Sequence, residues 1–155
     1  MTDSLLGMKY IHCTFENTED KVMFNCYGFQ GASCKEDVVY IKVLMRTNLK
    51  IKPSGMIYQI MDENGNAMSG GKGIAALNET TGSGDWETVI MRASGFPEGA
   101  SEFKQMQFFI AGNIPGTKFF DGTYPSDSYI DIAGWAVFSN LESANAYSIM
   151  DKALS

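Results

Sequence analysis

One loop of the sequence combines the residue types that proteins use to hold a sugar. The segment KFFDGTYPSDSY, residues 118–129, places aromatic rings beside two carboxylates. Aromatic faces pack against the C–H groups of a pyranose, and carboxylates accept hydrogen bonds from its hydroxyls. One phenylalanine of the adjacent pair also suits an apolar plug at the end of a β-sandwich. The residues of this loop that we predict to bind a ligand are Phe120, Asp121, Tyr124 and Asp127.

A second group of polar side chains lies within predicted strands, where alternate residues share a face. Guanidinium groups donate hydrogen bonds, and amides both donate and accept them, so both kinds of group suit sugar hydroxyls. The alternative for the glutamines is that they only solvate an open sheet face. The residues of this group that we predict to bind a ligand are Arg46, Gln59, Gln105 and Gln107.

The sequence offers little for catalysis. Its single histidine, His12, lies mid-strand without a nucleophile elbow, and its strand neighbour Cys13 points to the opposite face. Cysteine and histidine are too few for a zinc site. A carboxylate pair acting as in glycoside hydrolysis is the remaining catalytic alternative. We therefore predict a protein that is not an enzyme.

The three cysteines are Cys13, Cys26 and Cys34, and the sequence contains no C-x-x-C pair. An odd number leaves at least one thiol outside any internal disulfide. Free thiols are one interpretation, and a single disulfide, for example between Cys26 and Cys34, is the other.

The charge of the chain limits its partners. A net charge of −6 repels a phosphate backbone, so nucleic acid is not an expected partner. No run approaches about 18 apolar residues, so no membrane insertion is expected. The first residues, MTDSLLGMKY, lack the basic and apolar regions of a signal peptide. That pattern suits a module cut from a larger secreted protein or a protein made without export.

Short strands separated by turns dominate the pattern. In VVYIKVLMRT, residues 38–47, alternation places Ile41 and Val43 on a core face, whereas the other face is mixed and only partly covered. The chain is predicted to be all-β, a β-sandwich or jelly roll of about eight or nine antiparallel strands, in a single module over residues 1–155. The tail NLESANAYSIMDKAL predicts a short C-terminal helix with Asn140 as its N-cap.

The last predicted strand, YIDIAGWAVF at 129–138, carries a carboxylate, Asp131, inside an otherwise apolar run. Strict alternation along the strand places Asp131 on the face of Tyr129 and Trp135. Trp135 itself is predicted to belong to the core, because it ends a core strand.

Four segments of the chain resemble motifs of one protein family. They are YIKVLMRTN at 40–48, GDWETVIM at 84–91, KQMQFFIAG at 104–112 and YIDIAGWAVFSNLESANAY at 129–147. In order and spacing they resemble strands of bacterial galactose-binding-like β-sandwich modules of the carbohydrate-binding-module type. The third segment lacks the arginine that such modules often carry there. The resemblance implies an extracellular accessory module that binds carbohydrate, on a fold that hosts many functions.

The resemblance also raises one interpretation of Asp131. In such modules the acid of the last strand sometimes helps to hold a structural calcium, which takes oxygen ligands. Glu16 is the predicted second ligand here, with Asn17 and Glu19 as alternatives in the same turn. The other interpretation is a structural carboxylate that accepts hydrogen bonds from the backbone or from Arg46, or faces solvent.

These residues and this resemblance predict a non-catalytic module that binds a polysaccharide or another glycan. It would belong to a secreted or surface-attached bacterial protein, beside other domains of that protein. The alternative is a structural or adhesive β-sandwich domain of a phage tail, receptor-binding or cell-surface protein. Ten methionines, and cysteines without an export signal, suit that virion alternative better than a secreted enzyme.

Overall fold

A computed structural model describes ten stretches of the chain: residues 7–14, 21–27, 38–53, 56–61, 64, 66–74, 77–94, 105–111, 127–138 and 140–149. These stretches are mostly antiparallel β-sheet with one short helix, which agrees with the all-β prediction. The strands are β1 (Ile11–Thr14), β2 (Lys21–Tyr27), β3 (Val38–Thr47), β4 (Met56–Met61), β5 (Ala67–Ile74), β6 (Glu87–Ser94), β7 (Gln105–Ala111) and β8 (Tyr129–Phe138). The helix is α1 (Leu141–Ala146).

The strands form two four-stranded antiparallel sheets. The first sheet has the order β1-β8-β3-β6 and the second has the order β2-β7-β4-β5. Strand β1 pairs with β8, β2 with β7, β3 with β6, and β4 with β5. The chain is therefore one long antiparallel ribbon that turns back between β4 and β5. Two further pairings, β3 with β8 and β4 with β7, join separate parts of this ribbon into the two sheets.

Strand β3 is the centre of the first sheet and is buried on both faces. Ile41 and Val43 lie on the predicted core face and are fully buried. On the opposite face, Leu44 is also fully buried, because it packs with Met8 and Ile149 from segments at the two ends of the described chain. This second face is covered more completely than the mixed pattern of the strand predicted.

Helix α1 ends at Ala146, inside the predicted helical tail of residues 140–154, of which residues 150–154 lie outside the described stretches. The predicted N-cap is confirmed, since the Asn140 side chain accepts a hydrogen bond of 2.8 Å from the Ser143 amide. At the other end, the Lys42 ammonium donates to the carbonyls of Ala144 and Tyr147 at 2.9 and 2.8 Å. A cation on these carbonyls satisfies acceptors that a helix end leaves open. Lys42 thereby fastens α1 to β3.

A bulge changes the faces of β8. The pairing of β3 with β8 shifts register between Leu44 and Met45. An extra residue in one strand reverses the alternation beyond it. The prediction that Asp131 shares a face with Trp135 is therefore wrong, because Trp135 lies opposite Val43 whereas Asp131 lies opposite Arg46. Trp135 is also 39% exposed, against its predicted place in the core.

The loop between β5 and β6 is fastened to the segment after β3 by one buried side chain. The Thr80 hydroxyl donates to the Leu49 carbonyl at 2.6 Å and accepts from the Ile51 amide at 2.7 Å. The Thr80 amide donates to the Ile51 carbonyl at 3.1 Å. In the same loop Gly82 has a φ of +70°, and a Cβ there would lie 3.1 Å from the Lys50 amide nitrogen. The loop therefore requires both a hydroxyl and a glycine.

We predict that Thr80→Val lowers the free energy of unfolding by about 2–4 kcal/mol, because it leaves a buried amide and a buried carbonyl without their partner. Urea unfolding followed by tryptophan fluorescence measures this change. The matched control is Thr88→Val, at an exposed position of β6, where we expect a change within about 0.5 kcal/mol. Equal effects of the two substitutions would contradict the anchoring role of Thr80.

Candidate functional site

Asp131 lies in a row of charged and polar residues that crosses three strands. On β8 it is directly opposite His12 of β1 on one side and Arg46 of β3 on the other. Directly opposite residues share a face of the sheet, so the three side chains meet. We call His12, Asp131 and Arg46 the Asp131 cluster.

Both carboxylate oxygens of Asp131 have a partner. Oδ1 is paired with Nδ1 of His12, and Oδ2 accepts from Nε of Arg46 at 2.7 Å. Asp131 is only 2% exposed, whereas Arg46 and His12 are 22% and 34% exposed. A buried carboxylate is tolerated when it is paired and hydrogen-bonded. The interpretation of Asp131 as a structural carboxylate bonded to Arg46 therefore agrees with this geometry.

Aromatic rings hold the two partners of Asp131 in place. The Arg46 guanidinium lies 4.8 Å from the centroid of Tyr10 and 4.6 Å from that of Trp86. The His12 ring stacks on Tyr129 at a centroid distance of 5.7 Å. Contacts between a cation and an aromatic face are favourable and directional. Arg46 was predicted to bind a ligand, and its guanidinium here is engaged by Asp131 and two rings.

Cys13 follows His12 on β1 and is a free, half-buried thiol. Burial raises the pKa of this thiol, and the negative charge of Asp131 raises it further. A raised pKa keeps the thiol protonated at neutral pH, and the protonated form is a poor nucleophile. Cys26 lies on β2, and Cys34 lies outside the described residues.

The pairing of His12 with a carboxylate orients its ring. Because Nδ1 faces Asp131, the proton of the neutral ring sits on Nδ1 and the lone pair sits on Nε2. This is the arrangement of a general base, which acts on a nucleophile within hydrogen-bond reach. In the described part of the chain, His12 makes no hydrogen bond to a hydroxyl or a thiol. The cluster joins three strands of the first sheet through these side-chain pairs.

Asp131 was also predicted as a calcium ligand together with Glu16. Glu16 and the alternative partners Asn17 and Glu19 lie outside the described residues. Among the residues that are described, no group of three or more His, Cys, Asp or Glu side chains is placed to hold a metal ion. A cation at Asp131 would have to displace Arg46, whose positive charge already occupies one oxygen.

The second sheet aligns polar residues across all four of its strands. Gln107 of β7 lies opposite Asn25 of β2 and opposite Gln59 of β4. Gln59 in turn lies opposite Lys72 of β5. We call these four residues the amide row. With strands about 4.8 Å apart, the row extends about 14 Å across the sheet.

Two further rows lie on the same face, one on each side of the amide row. One contains Met23, Phe109, Ile57 and Ile74, and the other contains Tyr27, Gln105 and Met61. The opposite face of these strands has an aromatic central row of Phe24, Phe108 and Tyr58. One face thus combines amides with apolar and aromatic positions, and the other is almost wholly apolar.

The residues predicted to bind a ligand fall into four groups. Gln59 and Gln107 are direct neighbours in the amide row, and Gln105 is in the next row. Asp127 is exposed, and its carbonyl accepts from the Asn48 side chain at 2.9 Å. Phe120, Asp121 and Tyr124 lie outside the described residues. Arg46 is in the first sheet, apart from the three glutamines.

The sequence analysis missed three residues, two of the amide row and one of the Asp131 cluster. Asn25 and Lys72 belong to the amide row, and His12 belongs to the Asp131 cluster. Asn25 interrupts the apolar strand KVMFNCY just as Gln59 interrupts MIYQIM. Both interruptions are visible in the sequence, but only the register of the strands shows that Asn25 and Gln59 lie in the same row.

Comparisons with protein-family models, curated proteins and solved structures find no match to this chain. No helix in the described stretches is long and apolar enough to cross a membrane.

We predict that Asp131→Asn lowers the free energy of unfolding by about 2–4 kcal/mol, because Arg46 loses a charged partner that is itself buried. The matched control, Asp127→Asn, changes an exposed carboxylate and should alter stability by about 0.5 kcal/mol or less. A double-mutant cycle with Arg46→Met should give a coupling of about 1–3 kcal/mol. Additive effects of the two substitutions would contradict the pairing.

We predict that the melting temperature is the same in excess calcium and in chelator, because His12 and Arg46 occupy both oxygens of Asp131. Differential scanning calorimetry checks this, with magnesium as the control for nonspecific ion effects. A rise in melting temperature that is specific for calcium, and that is lost in Glu16→Gln, would instead support a metal site formed with that turn.

Proposed function

We propose that this protein is a non-catalytic module that binds glycans through one face of its second sheet. The observation that carries the proposal is the amide row with its two flanking rows. Amides hydrogen-bond sugar hydroxyls, and apolar and aromatic residues pack against sugar C–H groups. A face that places four polar residues in line, beside Phe109 and Tyr27, offers both kinds of group at adjacent positions.

The strand order supports this placement. The orders β1-β8-β3-β6 and β2-β7-β4-β5 are those expected for an eight-stranded jelly roll, which is used by lectin domains among others. In that architecture the two sheets pack face to face through their apolar faces. We propose that the row of Phe24, Phe108 and Tyr58 belongs to this core. The amide row is then on the outer face of the second sheet, open to a ligand.

The shape of the face suits an extended ligand. A row of about 14 Å across four paired strands matches a short oligosaccharide segment better than a single sugar. A linear chain that lies along the row would meet the amides of Asn25, Gln107 and Gln59 in turn. The module would accordingly recognise internal segments of a polysaccharide, in a secreted or surface-attached protein as the resemblance to galactose-binding-like modules implies.

A structural or adhesive role in a virion or at a cell surface is the second candidate. The same strand order is built by viral capsid domains, so the fold supports both roles. The two candidates differ in solution, because a virion protein of this kind is expected to assemble with itself. The second candidate would be favoured if sedimentation shows a stable trimer or a larger species and the protein binds no glycan on an array.

We predict that the purified protein binds selected polysaccharides on a glycan array, and that Gln59→Ala combined with Gln107→Ala weakens binding about tenfold. Two hydrogen bonds of ordinary strength account for that factor. Titration calorimetry on the best array ligand measures it. The matched control removes two exposed amides elsewhere, Asn78→Ala combined with Asn145→Ala, and should leave affinity unchanged.

Two outcomes would contradict this proposal. A folded protein that binds no glycan would remove the function itself. Binding that survives the double glutamine variant but is lost in Tyr124→Ala would move the site from the amide row to the loop at 118–129.

A further inference from the structure

The strands of the second sheet differ from the rest of the chain in charge. The sequence has 18 acidic and 12 basic residues, with a net charge of −6. Strands β2, β4, β5 and β7 nevertheless contain two lysines and neither aspartate nor glutamate. The first sheet, by contrast, has acids in β6 and β8. The described strands of the second sheet therefore contribute cations and no acids.

Both lysines fall on the face of the amide row. Lys72 is the end member of that row, opposite Gln59. Lys21 lies opposite Ala111, four residues before Asn25 on β2, and so shares its face by the alternation of the strand. Strands β2 and β5 are the two edges of the sheet. The face thus has a positive charge near each edge and amides between them.

We propose that the glycan bound by this face is an acidic one, a chain that bears carboxylate or sulfate groups. The inference rests on the proposed function and names the class of its ligand. In an acidic chain, the described strands of the second sheet supply two cations and no acid to this face, which favours the approach of an anionic chain. Lysine binds such groups as a point charge, and amides hold the neutral hydroxyls between them.

The competing explanation is that the lysines protect the edges of the sheet. Lysine on an edge strand discourages pairing with another chain, and both lysines are on edge strands. The two explanations make different predictions for a charge-neutral variant. If the lysines protect the sheet edges, removing their charge causes self-association. If the lysines bind the ligand, removing their charge weakens the binding of acidic chains only.

The test measures binding of the whole chain to two matched pairs of polymers. One pair is polygalacturonate and its methyl ester, and the other is dextran sulfate and dextran. Each pair shares a sugar backbone and differs in charge. The variant is Lys21→Gln combined with Lys72→Gln. The control is Lys9→Gln combined with Lys50→Gln, which removes two exposed lysines elsewhere and alters net charge equally.

The expected result is that the protein binds at least one charged polymer more tightly than its neutral partner, with affinity that falls as salt rises. The variant should bind the charged polymer about fivefold more weakly, which corresponds to two exposed charge interactions. The control variant should bind as the original protein does. The polymer pair that responds distinguishes a carboxylate ligand from a sulfate ligand.

Three results would overturn the inference. Equal binding of charged and neutral partners, unaffected by the lysine variant, leaves glycan binding intact but removes its acidic class. Self-association of the variant with unchanged affinity assigns the lysines to edge protection. Binding of no polymer, by a protein that remains folded, removes the proposed function together with the inference.

Discussion

The buried carboxylate of Asp131 is the constraint on which the first sheet depends. An ionised group that is 2% exposed is stable only with its partners in place, and those partners come from the strands on either side. Arg46 ties β8 to β3, and His12 ties β8 to the four-residue edge strand β1. A shift of β8 by one residue would turn Asp131 to the opposite face and leave it without either partner. One side chain thereby specifies the register of three strands.

The two sheets differ in the residues that their described strands place on each face. In the first sheet, β3 is buried on both faces, since Leu44 is covered by Met8 and Ile149 and since Lys42 fastens the helix there. Little of that surface remains for a ligand near β3. The second sheet instead combines amides, aromatic positions and lysines on one face, with an apolar opposite face. The strand that is buried on both faces and the proposed binding face thus belong to different sheets.

The sequence predicted the strands well, because short alternating runs between turns are a local property. VVYIKVLMRT was predicted at the bounds that the structure has, and the last strand was predicted to within one residue of its end at Phe138. The sequence alone could not predict the bulge between Leu44 and Met45, because the bulge depends on the partner strand. This bulge reverses the face of Asp131. Nor could the sequence align Asn25 with Gln107 and Gln59, because the register of distant strands is not a local property. The helix end at Ala146 was missed for the same reason, since a lysine of β3 caps it.

The folded ribbon has a consequence for how the chain acquires its structure during synthesis. Among the described strands β1 pairs only with β8, and the contact between His12 and Asp131 joins residues 119 positions apart. A ribosome must therefore release most of the chain before the first strand finds its partner. Until then β1 and β3 lack the neighbour that satisfies their backbone groups and the charge of Arg46. A chain that stalls before residue 129 would leave those edges unpaired, and unpaired strand edges are the sites at which incomplete β-sheets associate with other chains.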